Sequence, residues 1–307
     1  MVALFSMSAS AADWNFYGSA RVQTFYTHTD NKNGLKDTTD YGQSLQGNAR
    51  IGAKVSDELM GRFEYGASGG DANIRHLYGE WNFGSGKLLV GQTVSPLNMS
   101  LSNQVYDTDE NLNSYGNPFA GRQPMLQLTF GNFKIAAISP DTDTLGVATA
   151  TTEVTIPKIE ARYRLDIQNA YLEFAGGYQS YKITDSATSR SYDVDSYIGA
   201  IGGHITLGSF YLAGDLYFAQ NTGPYNLASA VDDMPTLVGT TFTDNDSMGY
   251  IFVGGMKLND IFSFEVGYGY TEAELDQAGS IKEDAESYYI QSTVTLTDGV
   301  FLFLKSG

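Results

Sequence analysis

Cysteine is absent from the 307 residues, tryptophan occurs only 2 times and proline 7 times. Without cysteine the chain has neither disulfide staples nor thiolate metal sites. Basic residues are scarce, 18 Lys and Arg against 35 acids, and the resulting net charge of -17 disfavours nucleic acid as a partner. Long apolar runs are missing too: mean hydropathy is -0.22, and no run of eighteen apolar residues supplies a helical membrane span. The three histidines, His28, His76 and His204, lack the paired spacing of a zinc or Ser-His site. Gly66-Ala67-Ser68-Gly69-Gly70 has the G-x-S-x-G form, but it falls at a hairpin tip and reads as a turn. Gly84-Ser85-Gly86-Lys87 lacks the upstream glycine of a phosphate loop. No enzyme signature remains.

What the chain does have is 34 Gly, 21 Tyr and 17 Phe, a composition suited to strands with aromatic belts. Segments of about ten residues alternate apolar and polar side chains at every step. In the first, Trp14, Phe16, Gly18, Ala20, Val22, Thr24 and Tyr26 share one face, and Asn15, Tyr17, Ser19, Arg21 and Gln23 the other. The same pattern predicts strands over 13–27, 44–55, 59–67, 73–83, 87–95, 122–130, 133–139 and 157–165. Further strands are predicted over 170–182, 194–206, 210–221, 246–257, 261–272, 285–296 and 300–305. Short gaps rich in turn formers, such as Ser56-Asp57-Glu58 and Thr297-Asp298-Gly299, alternate with gaps that are mostly long. That asymmetry points to an all-β, antiparallel transmembrane β-barrel with tight turns on one side and extended loops on the other. A soluble β-sandwich or propeller would not pair such unequal connections.

A bacterial barrel of this kind has an even number of strands, so the count of about fifteen predicts sixteen in the intact protein, with the last one missing here. Residues 1–11 are small and apolar and end in Ala9-Ser10-Ala11, the form of a signal-peptide remnant, with a disordered tail as the alternative. One domain, the barrel, then occupies 12–307.

A Lys or Arg facing lipid at mid-membrane costs about 2 to 4 kcal/mol, so the charged member of each alternation must face inward. This rule places Arg21, Arg50, Lys54, Arg62, Glu64, Glu80, Lys158, Glu160, Arg162, Arg164, Glu173, Asp215 and Glu265 in the lumen. Ala49, Ile51, Phe63, Trp81, Ile159, Tyr163, Leu172, Phe174, Leu212, Leu216, Phe264 and Val266 then face outward. So many interior charges predict a wide, water-filled bore.

The most distinctive gap, about 95–121, carries Asp107, Asp109 and Glu110 and returns through Asn117-Pro118-Phe119-Ala120-Gly121-Arg122. Gly86-Lys87-Leu88-Leu89-Val90-Gly91-Gln92-Thr93-Val94-Ser95-Pro96 and Ala49-Arg50-Ile51-Gly52-Ala53-Lys54-Val55 precede it. In these segments, and in 117–130, the sequence resembles the general porins of Gram-negative outer membranes, which are trimeric sixteen-stranded barrels. In motif the resemblance covers only the first part of the chain, to the end of that last segment; in architecture it covers essentially all of it. It implies a passive diffusion channel for small hydrophilic solutes and ions in the outer membrane of a Gram-negative bacterium. The third loop would fold into the lumen and set its constriction, with Asp107, Asp109 and Glu110 facing basic wall residues.

By position Arg50 is such a wall residue, and Arg62 and Arg21 join it by inward parity. Arg75 and Arg122 lie near family arginines, yet Arg75 shares a face with Leu77, and Arg122 with Leu126 and Leu128. A bulge at Pro124 would turn Arg122 inward. The three acids also read as solvated loop charges or helix caps. A homotrimer is implied by the resemblance, and the small outward residues Gly18, Ala20, Gly47 and Ala49 would permit close subunit packing or merely fill a lipid-facing strip.

Acids concentrate in the long gaps, and 222–245 has no Lys or Arg, which predicts an acidic outer vestibule with a mild cation preference. No cofactor is expected, apart from structural Ca²⁺ at the acidic outer loops or bridging to lipopolysaccharide phosphates. Asp141 and Asp143 are weak candidates for it, because Thr152 stands where the calcium loop needs Glu. The rival within transport is a substrate-specific outer-membrane channel with aromatics along the lumen. Tyr17, Tyr211 and Tyr217 point inward but do not line up in the sequence.

Overall fold

The computed structural model of the chain describes residues 13–29, 38–54, 56–68, 71–105, 112–277, 279–280 and 282–307. The segment 1–11, expected to be a signal-peptide remnant, lies outside them. In chain order the strands are β1 (Asp13–Thr29), β2 (Thr38–Lys54), β3 (Leu59–Ser68), β4 (Asp71–Asn82), β5 (Lys87–Val94), β6 (Arg122–Phe130), β7 (Phe133–Ile138), β8 (Ala150–Glu153) and β9 (Lys158–Ile167). Then come β10 (Ala170–Asp185), β11 (Arg190–Leu207), β12 (Phe210–Gln220), β13 (Thr236–Val238), β14 (Thr241–Thr243), β15 (Asn245–Lys257), β16 (Phe262–Leu275), β17 (Glu283–Thr297) and β18 (Val300–Ser306). Helical structure among the described residues is confined to a 3-10 turn, Asn113–Tyr115, and one helical turn, α1 (Thr222–Tyr225).

Each predicted strand has its counterpart. The largest differences lie on the long-gap side, where β2 starts at Thr38 instead of 44 and β11 at Arg190 instead of 194. Beyond the membrane both faces of a strand meet water, so alternation fades while backbone pairing continues. The small strands β8, β13 and β14 are of that kind: β8 pairs the outer end of β10 at Lys182–Asp185, and β13 pairs β14.

All the large strands pair antiparallel with their neighbours in one sheet, ordered β1-β2-β3-β4-β5-β6-β7-β9-β10-β11-β12-β15-β16-β17-β18. The sixteenth member of that sheet is β8, a side branch. Strands β1 and β18 are the ends of the order, and no register joins them among the described residues.

The sheet is rolled. Strand β17 stands nine places from β5 in the order, which on a flat sheet at about 4.8 Å per strand is about 43 Å. Yet the segment following β5 bonds to β9 through Leu97 and to β17 through Val105. The sheet therefore curves around that segment, with one face inside and one outside.

The two faces divide by charge, as desolvation requires. Ile51, Trp81, Tyr163, Leu172, Phe174, Leu212, Phe264 and Val266 are exposed on the outside. Glu64, Lys158, Glu160, Glu173, Asp215 and Glu265 are buried on the inside. Close to the short turns, Trp81, Phe83 and Phe130 form a chain of ring contacts at 5.6 and 6.1 Å, an arrangement suited to a membrane interface. Phe252 lies midway along β15 with 65% of its surface exposed. Phe252→Arg is predicted to lower the stability of the folded protein in phospholipid bilayers by about 2 to 4 kcal/mol in urea titrations; an unchanged midpoint would contradict the lipid-facing assignment.

Candidate functional site

Four arginines meet on the inner wall formed by β2, β3, β4 and the start of β6. Arg62 and Glu64 face inward on β3 and are ion-paired. Across the β3–β4 ladder the register runs from Glu64 opposite His76 to Tyr65 opposite Ile74, so Arg75 is an inserted residue. This bulge re-aims a side chain that strict alternation would put beside Leu77 in lipid. Arg75 Nε instead donates to Glu64 Oε1 at 2.9 Å. Arg50 sits opposite Glu64 in the β2–β3 ladder.

Arg122, the first residue of β6, lies within electrostatic reach of Arg75, Glu64 and Arg62. It does so without the bulge expected at Pro124: the β5–β6 register continues unbroken through Gln92 opposite Pro124. Arg122 stands at the mouth of its strand, opposite Val94 and next to Gly121 in a left-handed conformation. Among the described residues, Arg62 and Arg75 thus pair with one carboxylate, Glu64, with Arg122 within electrostatic reach and Arg50 opposite it in the ladder. The Nε atoms of Arg50, Arg62 and Arg122 are buried without a hydrogen-bond partner. Arg62 and Arg75 keep 23% and 28% of their side chains exposed, which leaves the cluster open to the interior. Arg21 lies opposite Gln46 in the β1–β2 ladder, and its side chain is outside the described part of the structure.

Asp107, Asp109 and Glu110 also fall outside the described residues. The flanks of their loop are described, and they lie against the opposite half of the wall. Leu97, Met99, Leu101, Leu112 and Ala120 pack with Ala175, Ile198, Ala213, Tyr217, Ile251, Val253 and Tyr289, which come from the inner faces of β10, β11, β12, β15 and β17. Wall carboxylates hold the loop backbone: Leu97 N donates to Glu160 Oε2 at 2.9 Å, and Asn103 N to Glu265 Oε1 at 2.9 Å. Arg162 donates to Asn98 O, and Gln291 accepts from Val105 N at 3.1 Å. Glycine makes the approach possible at Gly116, whose φ of 110° and contact with the Tyr250 and Tyr270 backbones leave no room for a Cβ.

A second loop enters the same space. Between β12 and β15 the chain turns inward, and Thr222, Pro224, Tyr225 and Leu227 are buried. The sequence reading puts this basic-free stretch in the outer vestibule, and the structure folds its first half into the lumen instead. The reason is apolar content: Pro224, Tyr225 and Leu227 gain more against the inner wall than over the channel mouth. Asp233 is likewise buried, its carboxylate accepting from Thr222 Oγ1 at 2.7 Å. Burial pushes the Asp233 carboxyl up to about 6, partly offset by the Thr222 bond.

These loops overturn the expectation of a bore with water around every interior charge. Lys158 and Glu160 are fully buried, Glu173 is paired with Arg162, and Glu265 accepts from Tyr211, Tyr289 and Asn103. Unpaired buried charges cost several kcal/mol; here loop amides and tyrosines satisfy Glu160 and Glu265, Lys158 donates to Asp141 and to Tyr225 O, and Asp215 stays buried with neither carboxylate oxygen hydrogen-bonded. Asp141 accepts from Lys158 at 3.4 Å, and Asp143 turns back to cap Leu145 N in its own loop. No group of three or more His, Cys, Asp or Glu suited to a metal occurs among the described residues.

No family pattern matches the chain, and no curated protein matches it in sequence. Solved structures match in fold. The outer membrane channel DcaP of Acinetobacter baumannii superposes with a TM-score of 0.75 at 16% identity, over 99% of this chain and 92% of that one. An anion-selective porin from Comamonas acidovorans gives 0.63 at 12% identity, over 95% and 88%. The trimer form of OmpT, an outer membrane protein of Vibrio cholerae, gives 0.60 at 15% identity, over 96% and 88%. The fold is that of the outer-membrane porins.

Asp233 gives a pH test of the docked second loop. A carboxyl raised from 3.8 to about 6 binds its proton more tightly when the loop is docked. Docking is firmest at acid pH, weakens as pH rises from about 4 to about 6, and above that carries a penalty on the order of 3 kcal/mol at most. Protection factors of amides in 222–235 should accordingly be higher near about pH 4 than near about pH 7, and Asp233→Asn should remove the difference; equal protection in the native chain would contradict the burial.

Proposed function

We propose that this chain is an outer-membrane porin, a passive diffusion channel for small hydrophilic solutes and ions. The observation that carries this reading is the unequal inner surface: loops and tyrosines cover the β9–β17 half, while Arg62 and Arg75 of the arginine cluster on β2–β4 and β6 stay partly open. Passage follows the uncovered strip. Asp107, Asp109 and Glu110 belong to the loop that enters the lumen, and in this reading they supply the negative side of a charged constriction. Opposed charge rows in a narrow aqueous gap create a transverse field that orients dipolar solutes and penalises large apolar ones.

Assembly as a homotrimer in the outer membrane of a Gram-negative bacterium is part of the proposal. It is supported by the shared fold and by the exposed, small outer positions Gly18, Ala20 and Ala49. Outer-membrane lipid and lipopolysaccharide would contact the remaining apolar belt. Passive diffusion needs no catalytic group and no cofactor.

A substrate-specific channel is the second reading, and one observation favours it. The guanidinium of Arg164 lies 3.6 Å from the Tyr171 ring centre, Tyr171 stacks on His204 at 5.6 Å, and His204 stacks on Tyr211 at 5.3 Å. The three rings form an inward row across β10, β11 and β12. Their faces are turned to one another, so the row offers ring edges to the lumen, which suits bracing the wall better than gliding a sugar.

Planar-bilayer recording tests the channel directly. The purified chain should give ohmic steps, and conductance should not saturate with any one solute. Folded protein without conductance would reject the proposal, and saturation by a single solute class would favour the second reading. Selectivity tests the arginine wall. Arg62→Gln combined with Arg122→Gln should move the zero-current potential in a salt gradient toward cation preference by about 10 mV or more at low salt, and less at high salt where screening takes over.

A further inference from the structure

We infer that Asn221–Asp233 is a second, fixed narrowing element of the lumen, locked to the long loop after β5 through Glu160, and that the two loops together set the largest solute the channel passes. The inference rests on the channel reading above and adds to it the element that determines size selectivity.

The second loop is built to reach inward and stay there. Asn221 and Asn226 adopt left-handed conformations at either end of α1, with φ of 54° and 64°, and reverse the chain tightly. The base is pinned to the barrel rim: Asn221 Nδ2 donates to Asp195 O at 2.8 Å and to Asp244 Oδ1 at 2.7 Å, and Asn221 Oδ1 accepts from Asn245 N at 2.9 Å. Thr222 Oγ1 adds contacts to Asp233 and to Ser247 Oγ. From this base Tyr225 is driven against the inner faces of β9 and β10, where Gly177 leaves the space its ring requires.

Tyr225 is completely buried, and its hydroxyl donates to Glu160 Oε1 at 3.0 Å. The other oxygen of the same carboxylate accepts from Leu97 N in the first loop. One wall residue therefore grips both loops. Lys158, beside it, donates to Tyr225 O at 3.2 Å and lies 4.6 Å from the ring centre, while Gln179 donates to Pro224 O.

The loops also bond to each other. Ala228 N donates to Phe119 O at 3.1 Å and Ala230 N to Ser114 O at 2.8 Å. Leu227 and Tyr225 belong to the same apolar cluster as Leu97, Met99 and Leu101. A loop arching out over the channel mouth would meet water at these groups. Here the hydroxyl, ammonium and amide groups are satisfied by the inner wall and by the first loop. Displacing either loop would strand several of them in a dry setting, so the pair acts as one septum across part of the bore.

The test uses the full chain in planar bilayers and liposomes. Tyr225→Ala removes the grip on Glu160, and it should raise single-channel conductance by about 1.5-fold or more and admit neutral polyethylene glycols larger than those the unmodified chain admits. The absence of cysteine allows a second variant, Ser114→Cys with Ala230→Cys. This pair should cross-link under mild oxidation and leave conductance and polymer cut-off unchanged, because the loops already sit together. A folded Tyr225→Ala protein with unaltered conductance and cut-off would overturn the inference, as would a folded cysteine pair that does not cross-link or whose cross-linking halves the conductance. An unmodified chain that carries no current would instead overturn the channel reading itself.

Discussion

Desolvation of the charges on the inner face of the sheet is the constraint from which the rest of the arrangement follows. A strand that spans a membrane can hide charged side chains from lipid only by turning them inward, and a lumen closed off from water then penalises them again. The β9–β17 half resolves this with protein groups at Glu160, Glu173 and Glu265, while the oxygens of buried Asp215 have no hydrogen-bond partner. Glu160 and Glu265 accept from the backbone amides of Leu97 and Asn103, and Glu173 pairs with Arg162 and Arg164. Because Glu160 and Glu265 take their donors from loops, the loops are held against the wall and the bore narrows on that side.

The opposite half meets the same constraint with ion pairs on the wall itself. Arg62 and Arg75 pair with Glu64 and keep part of their side chains open to the interior, while the Nε atoms of Arg50, Arg62 and Arg122 are buried without a hydrogen-bond partner. The two halves of the wall thus differ: one is covered by loops, and the other presents a basic, partly open surface.

The strand pattern was legible in the sequence because period-two alternation is a direct consequence of lipid on one side. In Phe262–Leu275, Phe262, Phe264, Val266 and Tyr268 alternate with Ser263, Glu265 and Gly267. Strict parity misleads where the ladder itself is irregular. Arg75 reads as outward, and only the register jump between Glu64 and Tyr65 shows how it comes to bond Glu64. The pairing of Tyr225 with Glu160 is hidden for a different reason: partners 65 positions apart leave no local signature. The one available cue is the apolar content of the gap itself, Pro224, Tyr225 and Leu227 in a stretch otherwise read as an acidic outer loop.

Alternating accessibility is the most direct measurement of the two-faced wall, and a chain without cysteine is suited to it. On β4, Tyr78 and Glu80 face the interior while Leu77 and Trp81, exposed at 51% and 42%, face outward. Single cysteines at these four positions, in protein folded into liposomes, would be exposed to a membrane-impermeant thiol reagent. The account predicts labelling at positions 78 and 80 and protection at 77 and 81. Equal labelling at all four, or labelling of the outward pair alone, would contradict it.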